Sequence, residues 1–196
     1  MKMNVIIAGV GGQGILLSSR VLGQLAMDAR MDVKVSEVHG MSQRGGDVVT
    51  HVRIGERIFS PLIEEGAADA VIAFEQLEAL RALPFLMQGG FIVVNTQKIP
   101  PMPVLTKAAA YPEGILEKIA SHGALVALDA QAIAVECGAP RAVNIVLLGA
   151  FARRMHMDKE RWQSAIVKSV PPATRQANQQ AFLAGWEAAD NNRLLM

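Results

Sequence analysis

Three observations predict a three-layer α/β chain with a mostly parallel, Rossmann-like sheet and an antiparallel hairpin insertion. Short apolar runs of strand length recur along the chain, and stretches with apolar residues at helical spacing separate them. The first run ends in a glycine-rich turn that opens directly into a helix. The 196 residues fit one domain, 1–196, long enough to bury a sizeable core. No internal repeat, low-complexity tail or strong linker divides it.

Val5-Ile6-Ile7-Ala8 reads as a buried strand ended by Gly9 to Gly14. From Ile15 to Ala29, Leu16, Leu17, Val21, Leu22, Leu25 and Ala26 recur at helical spacing. Val33 to Val38 alternates as a second strand, which makes this opening a β-turn-α-β unit. His39 to Asp47 is polar and glycine-rich. Val48 to Ile54 and Arg57 to Leu62 then read as two strands joined at Gly55-Glu56, the expected hairpin. Ala70 to Phe74 and Phe91 to Asn95 are buried strands, with a helix from Gln76 to Met87 interrupted near Pro84. Pro100, Pro101 and Pro103 predict a rigid extended connection. A short helix over Gly114 to His122 and a strand over Ala124 to Leu128 follow. Asn144 to Met155 is a strongly apolar helix with Ile145, Leu148, Gly149 and Ala152 on one stripe. Asp158 is placed to cap the next helix, and a last one runs from about Thr174 to Ala189.

Composition narrows the function. Apolar residues make up 51% and charged residues 19%, which favours an apolar surface covered by a partner, although a very compact monomer would have the same composition. With a net charge of +1, no basic block and 5% aromatic residues, no nucleic-acid partner is expected. Cys137 is the only cysteine; one thiol neither closes a disulfide nor holds an iron–sulfur cluster, so any redox centre is expected on another chain. The N-terminus lacks the pattern of a signal peptide, and no apolar run approaches the ~20 residues that span a bilayer. A cytoplasmic chain without membrane contact is expected.

Gly9-Val10-Gly11-Gly12-Gln13-Gly14 satisfies G-x-G-x-x-G between a strand and a helix. Lacking Cβ atoms, such a loop turns tightly, and its N–H groups approach an anion at the positive end of the helix dipole. The alternative is that the glycines only allow the turn and close packing. A nicotinamide reading needs an acid about twenty residues on, and Glu37 stands 23 positions after Gly14. No Gly-Lys-Ser/Thr follows, so no P-loop is present.

Ser36-Glu37-Val38-His39-Gly40-Met41-Ser42-Gln43-Arg44-Gly45-Gly46 packs titratable groups between glycines. Following a strand, it is expected at the carboxyl edge of the sheet beside the first glycine turn. Arg44 has the geometry to grip a phosphate or carboxylate, and His39 to donate a hydrogen bond or move a proton. The structural alternative pairs Arg44 with Glu37 or Asp47.

Together the two loops resemble the gamma domain of 2-oxoacid:ferredoxin oxidoreductases, and among these the beta subunit of the indolepyruvate type. The segment Asn144-Ile145-Val146-Leu147-Leu148-Gly149-Ala150 fits the resemblance, which covers almost the whole chain. It implies a non-autonomous subunit with no catalytic residue of its own. The enzyme would convert a 2-oxoacid (indolepyruvate or another aryl pyruvate) to acyl-CoA, CO2 and reduced ferredoxin. The resemblance places thiamine diphosphate, Mg2+ and the iron–sulfur clusters on a larger alpha subunit, which passes electrons to ferredoxin. Coenzyme A is the acyl acceptor. The anion site expected on this chain comprises Gly9, Gly11, Gly12, Gln13, Gly14, His39, Gln43 and Arg44. Two other readings stand beside it: a free-standing Rossmann-like protein that binds a nucleotide or coenzyme A, and an NAD-dependent dehydrogenase.

The remaining groups point to little chemistry. Cys137, with Glu136 but no histidine beside it, reads as a small buried residue. His51, His122 and His156 have no metal-ligand spacing, and Glu64, Glu65 and Asp129 read as loop and strand-end residues. The ten methionines serve core filling or an adaptable interface equally well. Trp162 and Trp186 are the better interface candidates, and the isolated chain has the option of a homodimer.

Overall fold

The computed structural model describes residues 2–40, 46–155 and 157–191. Strand β1 (Met3–Val10) leads through the glycine turn into helix α1 (Ile15–Asp28), then β2 (Asp32–His39) and β3 (Asp47–Gly55). β4 (Ala68–Ala73), α2 (Gln76–Ala82) and β5 (Leu86–Asn95) follow, with a 3₁₀ turn over Leu83–Phe85. The rest is α3 (Met102–Leu105), α4 (Ile115–Ala120), β6 (Ala124–Leu128), α5 (Ala130–Glu136), α6 (Val143–Arg154), α7 (Lys159–Ser169) and α8 (Arg175–Asn191).

The six strands lie in the order β2-β3-β1-β4-β5-β6. β3 runs antiparallel to both β2 and β1, whereas β1, β4, β5 and β6 pair in parallel. The mostly parallel sheet with an antiparallel insertion is therefore as predicted, but the insertion is a different segment. β2 and β3 form the antiparallel pair, and β3 separates β2 from β1. Arg57 to Leu62 forms no strand. The Arg53 guanidinium instead donates to the carbonyls of Ser60 and Leu62, at 3.1 and 3.0 Å, and holds this stretch as a loop.

Alternation along β1 explains the three layers, because successive side chains point to opposite faces. Met3, Val5 and Ile7 join the core under α1, α5, α6, α7 and α8, while Ile6 and Ala8 join a second core under α2 and α4. On the larger side, Phe91, Phe151, Trp162, Phe182 and Trp186 form a continuous aromatic chain. Trp162 is fully buried, and Trp186 is half-buried with Arg153 and Lys159 over its ring. Trp162 thus anchors the chain's own helices and offers no free interface face, contrary to expectation, whereas Trp186 keeps part of its ring at the surface.

α6 and α8 cross almost backbone to backbone. A Cβ at Gly149 would stand 2.8 Å from the Trp186 amide nitrogen and closer still to the Phe182 carbonyl oxygen. A Cβ at Gly185 would meet the Val146 carbonyl in the same way. Other departures from the sequence reading are local. The helix from Gln76 stops at Ala82, so Leu86 already belongs to β5, and α5 and the four-residue α3 were not anticipated. Pro103 lies within the first turn of α3, where a missing N–H costs nothing. Asp158 precedes α7 but its side chain makes no cap; its carboxylate sits 3.3 Å from Arg161 Nε.

Candidate functional site

The chain leaves β1 toward β2 on one side of the sheet and later places β4 on the other side of β1. The carboxyl ends of β1 and β4 therefore flank the point where strand order reverses, the place where open α/β sheets leave a crevice. The glycine turn stands at this point. Gly9 lies so close to Phe74 and Gln13 that a Cβ would be 2.9 Å from Phe74 Cβ. Gly14 has φ +85°, a left-handed conformation, and a Cβ there would be 2.8 Å from Asn144 Nδ2.

The turn is braced from beneath by its own glutamine. Gln13 Oε1 accepts from Val10 N at 2.7 Å, and Gln13 Nε2 donates to the Phe74 carbonyl at 3.2 Å. Asn95 Nδ2 donates to the same carbonyl at 3.2 Å, so one oxygen joins the turn to β4 and β5. Asn144 Nδ2 donates to the Gly14 carbonyl at 3.2 Å, tying the turn to α6. The Gly11 amide is taken by the Gly46 carbonyl at 3.1 Å, which joins the first glycine loop to the end of the second.

Other backbone donors are left over. Among the described residues, no hydrogen bond occupies the amides of Gly12, Gly14, Ile15 or Leu16. α1 has no side-chain cap and no acidic residue in its first turn. The positive end of a 14-residue helix is thus neutralised by no described side chain.

Two clefts flank the turn. One, of about 300 Å³, is lined by Gly11, Gly12, Gly14, Ile15, Leu16, Glu37, His39 and Val48. Here Glu37 Oε1 lies 2.5 Å from His39 Nε2, and its other oxygen accepts from Thr50 Oγ1 at 3.3 Å. The two loops therefore meet, as the sequence predicts. The second cleft, of about 440 Å³, is lined by Gly12, Gln13, Gly14, Gln97, Ile99, Gln131, Pro140, Arg141 and Val143. Arg141 is exposed and, among the described residues, no ion pair or hydrogen bond engages it. Of the expected site residues, Gly9, Gly11, Gly12, Gln13, Gly14 and His39 lie in or around the turn. The Gln13 amide, however, faces inward as a brace. Gln43 and Arg44 lie outside the described residues, as do Met41 and His156.

The wall of the second cleft is stiff. Buried Glu75 caps α2 through Glu78 N at 3.1 Å, and its other oxygen accepts from Ile99 N at 3.0 Å and from the Tyr111 hydroxyl. Gln76 Nε2 donates to the Thr96 carbonyl at 2.5 Å, and Gln76 N to the Gln97 carbonyl at 3.2 Å. Burial, reinforced by the bond to Glu75, pushes the Tyr111 hydroxyl well above its ordinary range, so it stays a donor. Burial also pushes the Glu78 carboxyl up to about 7, although Arg81 at 2.7 Å opposes the shift.

Arg141, Gln97 and Gln131 escaped the sequence reading. The available signal was a cation directly after the turn Gly138-Ala139-Pro140 and ahead of an apolar helix. A larger hollow of about 670 Å³ lies between α1 and α7, at the far end of α1 from the glycine turn. Its polar rim includes the paired Asp28 and Lys168, 2.8 Å apart, and it carries none of the free amides. Among the described residues no three His, Cys, Asp or Glu side chains gather to hold a metal ion, and no helix is long and apolar enough to cross a membrane.

The β1–β2 separation bears on the nicotinamide reading. β3 between them puts Glu37 roughly two strand spacings, ~10 Å, from β1, rather than the ~5 Å of an adjacent strand. The Glu37 carboxylate is also engaged by His39 and Thr50. A dinucleotide ribose would find it both displaced and occupied.

Comparison with known proteins agrees with these features. The chain is 41% identical over 194 residues to indolepyruvate oxidoreductase subunit IorB of Thermococcus kodakarensis, covering 96% of each chain. Its fold matches the crystal structure of the keto/oxoacid ferredoxin oxidoreductase gamma subunit from Geobacter sulfurreducens, with TM-score 0.73, 23% identity and coverage of 96% and 99%. It also matches 2-oxoglutarate:ferredoxin oxidoreductase from Magnetococcus marinus, with TM-score 0.72 and 18% identity, covering 97% of this chain and 31% of that one. Residues 4–188 match the family model described as pyruvate ferredoxin/flavodoxin oxidoreductase. The chain belongs to that family, as a subunit of a 2-oxoacid:ferredoxin oxidoreductase.

Proposed function

We propose that this chain is the smaller subunit of an indolepyruvate-type oxidoreductase and that its glycine turn holds an anionic group of coenzyme A. The 41% identity to an indolepyruvate oxidoreductase subunit, over 96% of both chains, supports the substrate type. The free amides of Gly12 and Gly14, with Arg141 on the same second cleft, support the anion site. The Magnetococcus structure is described as having 2-oxoglutarate, coenzyme A and succinyl-CoA bound.

Electrostatics favours the second cleft for the charged group. In the first, a phosphate would face the Glu37 carboxylate. In the second it meets backbone N–H groups and a guanidinium, with Gln97 and Gln131 beside it. Arg141 joins Gly12 and Gly14 as a binding residue, and Gln13 and Asn144 position the turn. His39 lines the first cleft, on the other side of the turn. The chemistry on the 2-oxoacid is assigned to the larger alpha subunit. Thiamine diphosphate with Mg2+ would supply the decarboxylating carbanion there, and iron–sulfur clusters the path to ferredoxin. This chain's residues do not fit those groups: it has one thiol, Cys137, and among the described residues no cluster of metal-ligating side chains. No redox step runs through it.

The test is indolepyruvate-dependent reduction of a viologen dye by the complex purified with and without this chain. The reading predicts activity only when both subunits are present. Undiminished activity of the larger subunit alone would refute it.

A further inference from the structure

We infer that the outer face of α1 together with the edge strand β2 is the surface on which the larger subunit docks, its carboxylates meeting Arg20. This rests on the subunit assignment proposed above. The face carries exposed apolar side chains in one line: Leu16 is 54% exposed, Met27 63% and Val35 45%. Val35 falls on the α1 side of the sheet, where it lines a shallow depression of about 490 Å³ with Arg20, Gly23, Met27 and Lys168. Large apolar residues clustered in this way on a chain with a full core mark a contact site.

Gly23 adds a second observation. It lies in the middle of α1, where glycine costs helix stability relative to alanine, yet a Cβ there would touch nothing within 4 Å. No described residue of this chain requires the small side chain. It leaves the helix flush between Arg20 and Met27, the shape needed for close approach of another backbone. β2 is also an edge strand. It pairs with β3 at all eight residues without a bulge, contains no proline, and among the described residues no strand pairs with its other side.

Charge and size select the occupant. Arg20 and Lys168 both lie on the depression, and Lys168 is already paired with Asp28 at 2.8 Å. Among the described residues nothing pairs Arg20. A second copy applied about a twofold axis would bring cation against cation, whereas a partner with a carboxylate on an apolar surface satisfies Arg20. In the Magnetococcus enzyme a unit of this fold is 31% of a longer chain, so there it is joined to a body about twice its own size. Leu16 also lines the first cleft at the glycine turn. Docking here would therefore cover the first cleft, on the other side of the glycine turn from the proposed anion site.

The test is to produce the chain together with its larger subunit and measure co-purification and elution volume. Carriers of Met27→Glu with Val35→Glu, and separately Gly23→Leu with Arg20→Glu, are compared with Phe59→Glu, a control at an 82% exposed residue elsewhere. The two docking pairs are expected to weaken association at least tenfold while the isolated chains keep their circular dichroism and melting temperature. Phe59→Glu is expected to leave the complex intact. Normal assembly of both folded docking pairs would overturn the assignment, as would loss only of a dimer of the isolated chain. If the unaltered chain itself fails to co-purify, the subunit reading fails, and the docking assignment with it.

Discussion

The crossing of α6 and α8 allows a quantitative prediction from two glycines. Replacing Gly149 with alanine puts a Cβ 2.8 Å from the Trp186 amide and closer to the Phe182 carbonyl, where ordinary contact begins at 3.4 Å. Neither neighbour is a side chain that can turn away, so the helices must part by about 1 Å. A gap of that size forfeits a quarter to a half of the dispersion attraction across the crossing. Together with the strain, it should cost about 2–4 kcal/mol. For a chain of this size that is a fall in melting temperature of roughly 5–15 °C. Gly185→Ala meets the Val146 carbonyl and should cost about as much. The two costs should not add, because helices already parted by one methyl group have room for the other. Urea and thermal unfolding of both single variants and the double variant measure this. Single variants within 0.5 kcal/mol of the parent, on the scale of a surface change, or a double variant equal to the sum, would refute the close-contact reasoning.

Three further outcomes follow from the site. Removing the Gln13 side chain (Gln13→Ala) strands Val10 N, leaves the Phe74 carbonyl with Asn95 as its remaining side-chain donor, and should cost about 1–3 kcal/mol with faster amide exchange across residues 10–14; unchanged exchange would show that the brace is dispensable. Arg141→Ala should leave the melting temperature unchanged yet raise KM for coenzyme A about tenfold in the assembled enzyme, the scale of one charged hydrogen bond. Glu78 titrates at about 7 in the folded chain against its usual 4.5, so its contribution to stability is full below pH 4.5 and is lost as pH rises through 7. The gap corresponds to at most about 3 kcal/mol. Glu78→Gln should therefore flatten the fall in urea midpoint between pH 4.5 and 8, and an unchanged slope would contradict the shift.

Much of the frame was legible because local signals and packing agree. β1, the turn and α1 are marked by a buried run, glycines where only glycine fits, and a helical stripe. Which strand lies beside β1 was not legible. The period of β2 shows that it is a strand, but β3 wedges in through contacts distant in sequence. Ile58, Phe59 and Leu62 imitate a strand in pattern, yet the backbone carbonyls of this stretch are taken by Arg53, a partner that periodicity cannot reveal. α5 had a readable cap, since Asp129 accepts from Ala132 N at 2.9 Å, but its alanine-rich run has no stripe to signal a helix. In the site, the glycines and the meeting of the two loops were foreseen. Arg141 was not, because it reaches the turn from a segment more than a hundred residues away.

The most direct measurement is hydrogen–deuterium exchange of the assembled enzyme over residues 11–17, with coenzyme A and with uncharged pantetheine. Exchange is expected to slow at Gly12 and Gly14 with coenzyme A only. Exchange that ignores coenzyme A, or slows equally with pantetheine, would contradict the anion-site assignment.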